Sequence, residues 1–166
     1  MEQSTFEQTA YLLWHGHFPN EQELDSLTAS LKENRNLPSY MIDLIMSLPK
    51  DLDLMNVLRT VISAEGRASY QWKPTIEQAI RLTAIAPTII AYRKRFMENK
   101  PLVHPDASLN HVENYLYMLN SMVPLPAHTN ALEAYMILTM EHGMNASTFA
   151  ARVTASTESD IVSAVT

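Results

Sequence analysis

The polar run EHGMNASTF, residues 141–149, interrupts two apolar stretches and brings an imidazole, a glycine and a side-chain amide close together. We place His142 in the last turn of the preceding helix, where Gly143 can adopt the left-handed conformation that ends it. Asn145 can then cap the next helix, so that the amides of residues 146–148 point outward. Free amides at a helix N-terminus attract anions, and a neighbouring imidazole can donate a hydrogen bond to a carboxylate. The run therefore predicts a site for a small carboxylic acid. The alternative is a histidine that only ends a helix, stabilised by the helix dipole.

Two histidines, His15 and His17, flank a glycine in an H-x-H pattern. Such a pair can bind zinc, but a zinc site needs further ligands, and the chain has no cysteine to supply them. We interpret the pair as a polar turn at a helix end and predict no metal site.

The other titratable residues offer no clear catalytic arrangement. Glu65 and Glu141 have no partner at the spacing that general acid–base catalysis requires. His104, His111 and His128 lie in or beside proline-rich loops, so we expect all three at the surface. The sequence contains no nucleophile elbow, no phosphate-binding loop and no dinucleotide fingerprint. We assign no catalytic residue from these patterns.

The composition disfavours several kinds of partner. The 166 residues carry a net charge of −6, and phosphate binding needs clustered Lys and Arg, so no nucleic acid is expected. The one dense basic run, residues 93–95, is interpreted as a solvated helix face. No apolar run approaches the roughly 20 residues that span a bilayer, and no leader precedes the first helix. With no cysteine for disulfides, we expect a soluble cytoplasmic protein without a membrane contact.

Nearly every segment has the apolar spacing of a helix, and Pro and Gly mark the helix ends. No segment reads as a strand. The sequence therefore predicts an all-α fold, with one multi-helical domain over residues 1–166 arranged as an orthogonal or antiparallel bundle. Pairs of capping residues predict five of the helix starts. These pairs are Ser4 with Glu7, Asn20 with Glu23, Thr75 with Gln78, Asn130 with Glu133, and Thr157 with Asp160.

Three segments carry predictions about packing. The helix from Thr75 to about Asn99 contains Pro87, so we expect a kink or break just before that residue. Its apolar positions cover a broad face, which places it in the core or against another subunit. The helix that starts near Asn130 is apolar almost all round, and we place it at the centre of the fold. Residues 158–166 begin an apolar stripe without a helix-ending residue, so we expect the chain to be cut inside an element.

Three tracts carry a resemblance to a known family, and together they span essentially the whole chain. They are FEQTAYLLWHGHFPNEQEL, PTIEQAIRLTAIAPTIIAYRKR and MEHGMNASTFAARVTASTESDIVSAVT. These tracts resemble the bacterial type of citrate synthase, and the last tract is the most specific. The closely related methylcitrate synthases are similar in the same tracts.

The resemblance implies an all-α enzyme with a large and a small domain that condenses oxaloacetate with acetyl-CoA. On this basis His142 matches the family histidine that hydrogen-bonds oxaloacetate, and Asn145 is a polar neighbour of the same site. Acetyl-CoA would be a co-substrate, and no bound cofactor is expected. The family works as a homodimer with a helical sandwich between subunits. The helices Thr75–Asn99 and Asp51–Ala64 resemble two of the sandwich helices.

The departures from the family are as informative as the matches. A short family segment precedes the point where this chain begins. After DIVSAVT the family continues into a Gly-Pro-Leu-His-Gly tract, and its catalytic histidines, base aspartate and carboxylate-binding arginines follow. We therefore expect a central fragment of the large domain that contains no catalytic residue and gives no turnover alone. The alternative from another class is a non-catalytic helical module that serves assembly or interaction.

Overall fold

The computed structural model describes residues 4–166, and within that range the fold consists of nine helices and no strand. The predicted all-α class is therefore confirmed. No helix in the same range is both long and apolar enough to cross a membrane. The helices are α1 Phe6–His15, α2 Glu21–Glu33, α3 Ser39–Ser47, α4 Leu54–Ser63, α5 Ile76–Met97, α6 His111–Asn120, α7 Pro126–Met140, α8 Ala146–Ala155 and α9 Ile161–Val165.

Side-chain caps determine most of the helix starts. The predicted capping boxes that begin at Asn20 and at Thr75 are both present. The box predicted at Ser4 is wrong by one residue, because Thr5 caps α1 and its hydroxyl accepts a hydrogen bond from the amide of Gln8 at 3.2 Å. The start predicted at Thr157 is wrong by three residues, because Asp160 caps α9. Local hydrogen bonding therefore sets these starts, with a shift of one position in α1 and of three in α9.

α5 is the central helix, and it contacts α2, α3, α4 and α6. It runs unbroken from Ile76 to Met97, so the break that we considered before Pro87 does not occur. Eleven of its 22 residues are buried. The broad apolar face of α5 is therefore buried in the core of this chain, one of the two placements that the sequence predicts. Met97, at the C-terminal end, is the one large apolar side chain of α5 that stays exposed, so this helix offers little apolar surface to a second subunit.

The main core lies where α3, α4, α5 and α9 meet. Its fully buried members include Met41, Val57, Ile85 and Ile89, and Val162 of α9 joins them. A second cluster connects α1 and α2 to the first half of α5, and a third connects α1 to α6. The N-terminal helices are therefore held to α5 and α6 by apolar contacts within the chain.

Three arginines of α5 donate hydrogen bonds to carbonyl groups at or near the C-terminal ends of other helices. The last carbonyls of a helix lack intrahelical donors, and a guanidinium carries five donors, so one arginine can satisfy several of them. Arg81 bonds the carbonyls of Asn34 and Asn36 after α2, Arg93 bonds those of Ile45 and Leu48 at the end of α3, and Arg95 bonds that of Leu119 in α6.

These contacts overturn the interpretation of residues 93–95 as a solvated face. Arg93 is 2% exposed and Arg95 is 4% exposed, and only Lys94 between them reaches solvent. The two buried guanidinium groups are accommodated because main-chain carbonyls replace the water that they lose.

α7 differs most from its prediction. It begins at Pro126 rather than at Asn130, because proline suits the first helical position, where no amide is needed. Among its side chains only Thr129 and Ile137 are buried, so the central placement is wrong. A helix that is apolar all round is buried only where other segments pack on all of its sides. Residues 4–166 do not pack on all sides of α7.

Candidate functional site

The loop between α7 and α8 positions the predicted site. α7 ends at Met140, so His142 lies beyond the helix rather than in its last turn, and that part of the prediction is wrong. Gly143 has a φ of 97°, in the left-handed region, and Asn145 caps α8, as predicted. The extended backbone of Glu141 separates the end of α7 from this turn.

Three side-chain contacts hold the loop together. The carboxylate of Glu141 accepts a hydrogen bond from the amide of Gly143 at 2.5 Å. Oδ1 of Asn145 accepts from the amide of Thr148 at 2.8 Å, and Nδ2 of the same side chain lies 3.4 Å from Nε2 of His142. The imidazole and the cap of α8 are therefore in direct contact.

The amides at the start of α8 are partly occupied. We expected the amides of residues 146–148 to point outward, but that of Thr148 is bonded to Asn145. The amides of Ala146 and Ser147 have no acceptor within residues 4–166. Two donors therefore remain at the positive end of the α8 dipole, next to the imidazole.

The site is open to solvent. Residues 141–144 are exposed, Asn145 is half-buried, and α8 contains no buried residue. A carboxylate can therefore approach the imidazole and the free amides without displacing packed side chains. The open setting also keeps these groups hydrated, which weakens each hydrogen bond to a ligand.

A groove of about 460 Å³ runs beside α8. It separates α8 from α4 and α9, and Ser147 and Thr148 lie on one wall while Met55 and Arg59 lie on the other. The N-terminal turn of α8 thus borders both the imidazole loop and a cleft that contains an exposed guanidinium.

The other predicted residues lie away from this loop. Glu65 is 3% exposed, and its carboxylate pairs with the guanidinium of Arg81 at 3.0 and 3.2 Å, which makes it a structural ion pair. The His15 ring stacks on Tyr11 with 4.1 Å between centroids, and His17 contacts a carboxylate of α2 at 3.5 Å. No group of three or more potential metal ligands occurs among residues 4–166.

The three loop histidines do not share one environment. His104 and His128 are exposed, as predicted. His111 is 2% exposed, so the surface placement is wrong for this residue. Its ring stacks on Phe6 with 4.4 Å between centroids, and its amide donates to the carboxylate of Glu7 at 3.0 Å. These contacts bury the start of α6 beneath α1.

A buried guanidinium lies close enough to act on the charge state of this histidine. Burial, with a smaller contribution from Arg35, lowers the pKa of His111 to about 3, so the ring is neutral in the folded chain. Arg35 is 1% exposed and donates to the carbonyls of Asp106 and Leu109 at 3.2 and 2.9 Å. Sequence spacing gave no indication of this cluster, because its members come from three separate segments.

Comparison with known proteins places the chain in a family. The family described as citrate synthase, C-terminal domain, matches residues 1–166. The chain belongs to the citrate synthase family. This confirms the resemblance that the three sequence tracts carry.

Curated relatives agree with this assignment. A citrate synthase of Haloferax volcanii is 38% identical over 172 residues, covering 98% of this chain and 45% of the relative. A 2-methylcitrate synthase of Mycobacterium tuberculosis is 41% identical over 165 residues, covering 98% of this chain and 42% of the relative. The chain thus spans less than half the length of these relatives. Both kinds of citrate synthase are similar to this chain, as the tracts predict.

A solved structure shows the same fold. The citrate synthase of Thermotoga maritima superposes with a TM-score of 0.88 at 39% identity, covering 98% of this chain and 43% of that chain. The nine helices therefore correspond to a continuous part of a citrate synthase fold.

Proposed function

We propose that this chain is part of the large domain of a citrate synthase, in which it contributes His142 as a hydrogen-bond donor to a carboxylate of oxaloacetate. The observation that carries the proposal is the exposed imidazole beside the capped start of α8, where the amides of Ala146 and Ser147 have no acceptor within residues 4–166. A dicarboxylate supplies acceptors for all three donors. The whole enzyme would condense oxaloacetate with acetyl-CoA in the cytoplasm.

The proposal holds for either acyl donor. The relatives include citrate synthases and 2-methylcitrate synthases at similar identity. Within the family that this chain resembles, citrate synthases use an acetyl thioester and methylcitrate synthases use a propionyl thioester. Both classes condense the thioester with oxaloacetate. The proposed role of His142 concerns that shared substrate.

We also propose that the chain alone gives no turnover. Enol formation needs a carboxylate and an imidazole held around the methyl group of the thioester. In the family that this chain resembles, that carboxylate and that imidazole belong to tracts that follow DIVSAVT. Incubating the purified chain with oxaloacetate and acetyl-CoA should release no free thiol above the buffer rate, and measurable release would contradict this proposal.

Binding of oxaloacetate can be tested directly by calorimetry or by NMR titration. We expect weak, saturable binding to the chain and its loss in His142→Gln, because Gln cannot place a ring donor at the start of α8. His128→Gln is the matched control, since His128 is also exposed but lies at the other end of α7. Equal binding by both variants would show that the imidazole of residue 142 is not the contact.

We further propose that a second copy of the chain covers α4 and α8, which revises the expected contribution of α5 to a homodimer. α5 is used inside the chain, whereas α4 and α8, which border one groove, both expose large apolar side chains to solvent. These side chains are Leu54, Met55, Phe149 and Val153. The expectation from the resemblance that the helix Asp51–Ala64 packs in the dimer is retained.

Sedimentation velocity tests this arrangement. Met55→Lys should convert a dimer into a monomer, because it places a charge in the apolar contact. Phe18→Lys is the control, since Phe18 and Met55 are each 57% exposed but Phe18 lies between α1 and α2. A monomeric wild-type chain at micromolar concentration, or a dimer that survives Met55→Lys, would refute the interface.

A further inference from the structure

The cap of α8 determines how the side chain of Asn145 is oriented. Its Oδ1 accepts the hydrogen bond from the amide of Thr148 at 2.8 Å, and only the oxygen of a carboxamide can accept there. The NH₂ group must therefore be on the other side of the side chain. That side faces the imidazole of His142, with Nδ2 at 3.4 Å from Nε2.

This orientation restricts the neutral imidazole to one tautomer. An NH₂ group only donates, so Nε2 of His142 can complete the contact only with its lone pair. The proton of a neutral ring must then be on Nδ1. We propose that Asn145 holds His142 as the Nδ1–H tautomer, the opposite of the form that an isolated histidine side chain favours.

The rest of the loop supports this pairing. The carboxylate of Glu141 is bonded to the amide of Gly143, and the left-handed φ of Gly143 turns the chain between the imidazole and the cap. The cap thus fixes the side chain of Asn145, and the turn brings the ring of His142 to within 3.4 Å of it. Asn145 is a positioning residue, because it acts on a ligand through His142.

The inference deepens the proposed function, and its ligand-binding part rests on it. With Nε2 occupied by Asn145, the ring atom that remains to donate to a carboxylate is Nδ1. Any dicarboxylate that binds here therefore meets the Nδ1–H edge of the ring. The tautomer itself is a property of the ligand-free chain, so it can be measured separately.

NMR of the chain labelled with ¹⁵N-histidine identifies the tautomer from two-bond correlations between ring protons and ring nitrogens. The spectrum is recorded at about pH 8.5, well above the ordinary imidazole pKa of about 6.5. We expect Nδ1–H to be the majority form of His142 and Nε2–H the majority form of exposed His128, because the NH₂ group of Asn145 donates to Nε2 of His142. A majority of Nε2–H in the wild-type chain would overturn the inference.

Two variants separate this role from the capping role. Asn145→Ser and Asn145→Asp both keep an oxygen that can cap α8. The serine cannot reach the ring, so His142 should return to a majority of Nε2–H. The aspartate presents an acceptor in place of the NH₂ group and should invert the ratio more strongly. His128 in the same spectra should not change, and an Nδ1–H majority that survives in both variants would refute the role of Asn145.

Titration with oxaloacetate then distinguishes the two proposals. If both are right, the protonated Nδ1 resonance of His142 shifts while Nε2 keeps its contact with Asn145. An Nδ1–H majority without any oxaloacetate binding supports the tautomer assignment and contradicts the proposed function. Binding to a ring that is mainly Nε2–H supports the proposed function and contradicts the tautomer assignment.

Discussion

The helices packed around α5 and the segment from α7 to α9 are stabilised in different ways. α5 has eleven buried residues, whereas α8 has none and α7 has two. The arginines of α5 also satisfy carbonyl groups of its neighbours, and no comparable contact is seen for α8 within residues 4–166. Within residues 4–166, the first region is packed on several sides, whereas α8 packs mainly on α9 and leaves its own apolar side chains exposed. The candidate site lies in the second region, at the exposed start of α8.

The largest expected effect compares two apolar truncations. Ile89 is fully buried in α5, and Leu138 is 67% exposed in α7. Ile89→Ala should lower the free energy of unfolding by about 4 kcal/mol, because it leaves a cavity in a packed core. Leu138→Ala should change it by less than about 0.5 kcal/mol. Urea unfolding followed by circular dichroism measures both, and similar losses would remove the contrast between the two regions.

The second comparison concerns the guanidinium groups. Arg93→Met should cost about 3 kcal/mol, because it leaves the carbonyls of Ile45 and Leu48 buried without a donor. Arg152→Met, on the exposed surface of α8, should cost less than about 0.5 kcal/mol. Both substitutions remove one positive charge, so their difference in unfolding free energy isolates the carbonyl contacts. A loss below about 1 kcal/mol for Arg93→Met would show that water replaces the guanidinium there.

The third comparison is between the unfolding free energies of the chain at pH 7 and at pH 5. The folded pKa of His111 is about 3, while an unfolded histidine titrates near about 6.5. Between these values the unfolded chain binds more protons, so the stability that neutral His111 contributes is complete above about pH 6.5 and declines as the pH falls towards 3. The loss from pH 7 to pH 5 should be about 2 kcal/mol.

A variant assigns this acid sensitivity to one residue. His111→Gln should remove about 2 kcal/mol of the difference in unfolding free energy between pH 7 and pH 5, since glutamine does not titrate. His128→Gln, at an exposed position, should leave that difference unchanged. If the wild type and His111→Gln lose stability in parallel over this range, another group is responsible.

The smallest expected effect compares two glycines. Gly16 and Gly143 have φ values of 80° and 97°, and an added Cβ would meet no atom within 4 Å at either position. Alanine at each should therefore cost only backbone strain, about 1 kcal/mol. Gly16→Ala should lower the global unfolding free energy by that amount, because α1 and α2 pack on α5.

Gly143→Ala should act locally. We expect the amides of α8 to exchange with deuterium about fivefold faster, because about 1 kcal/mol is lost from a segment that opens by itself. Global unfolding should not change measurably. A shift of the global transition in Gly143→Ala would show that α8 unfolds together with the α5 core.

Local features of the candidate site could be predicted from the sequence. The cap at Asn145 and the left-handed Gly143 depend on residues only a few positions away, and both are present. The end of α7 was placed too late, because helix ends depend on weak contacts that differ little over a residue or two. The occupied amide of Thr148 follows from the cap itself, since an asparagine at that position takes one first-turn donor.

Long-range packing was less predictable. Periodicity showed that α7 is apolar all round, but it could not show whether other segments of this chain pack against it. The burial of Arg93 and Arg95 had a sequence indication, because residues two apart lie about 200° apart around a helix. Arg93 and Arg95 therefore could not both lie on one narrow solvated face of α5. The environment of His111 had no such indication, since Phe6, Glu7 and Arg35 approach it from distant segments.

The hydrogen bonds of the α5 arginines have an evolutionary consequence. Their acceptors are main-chain oxygens, which every amino acid carries, so side chains at positions such as 45, 48 and 119 can change without loss of the contact. An alignment of homologues would then show a constrained arginine column with no covarying column beside it. Covariation between alignment columns therefore would not detect this kind of hydrogen bond. The bonds of Arg93 nevertheless connect α5 to α3, about 45 residues away in the chain.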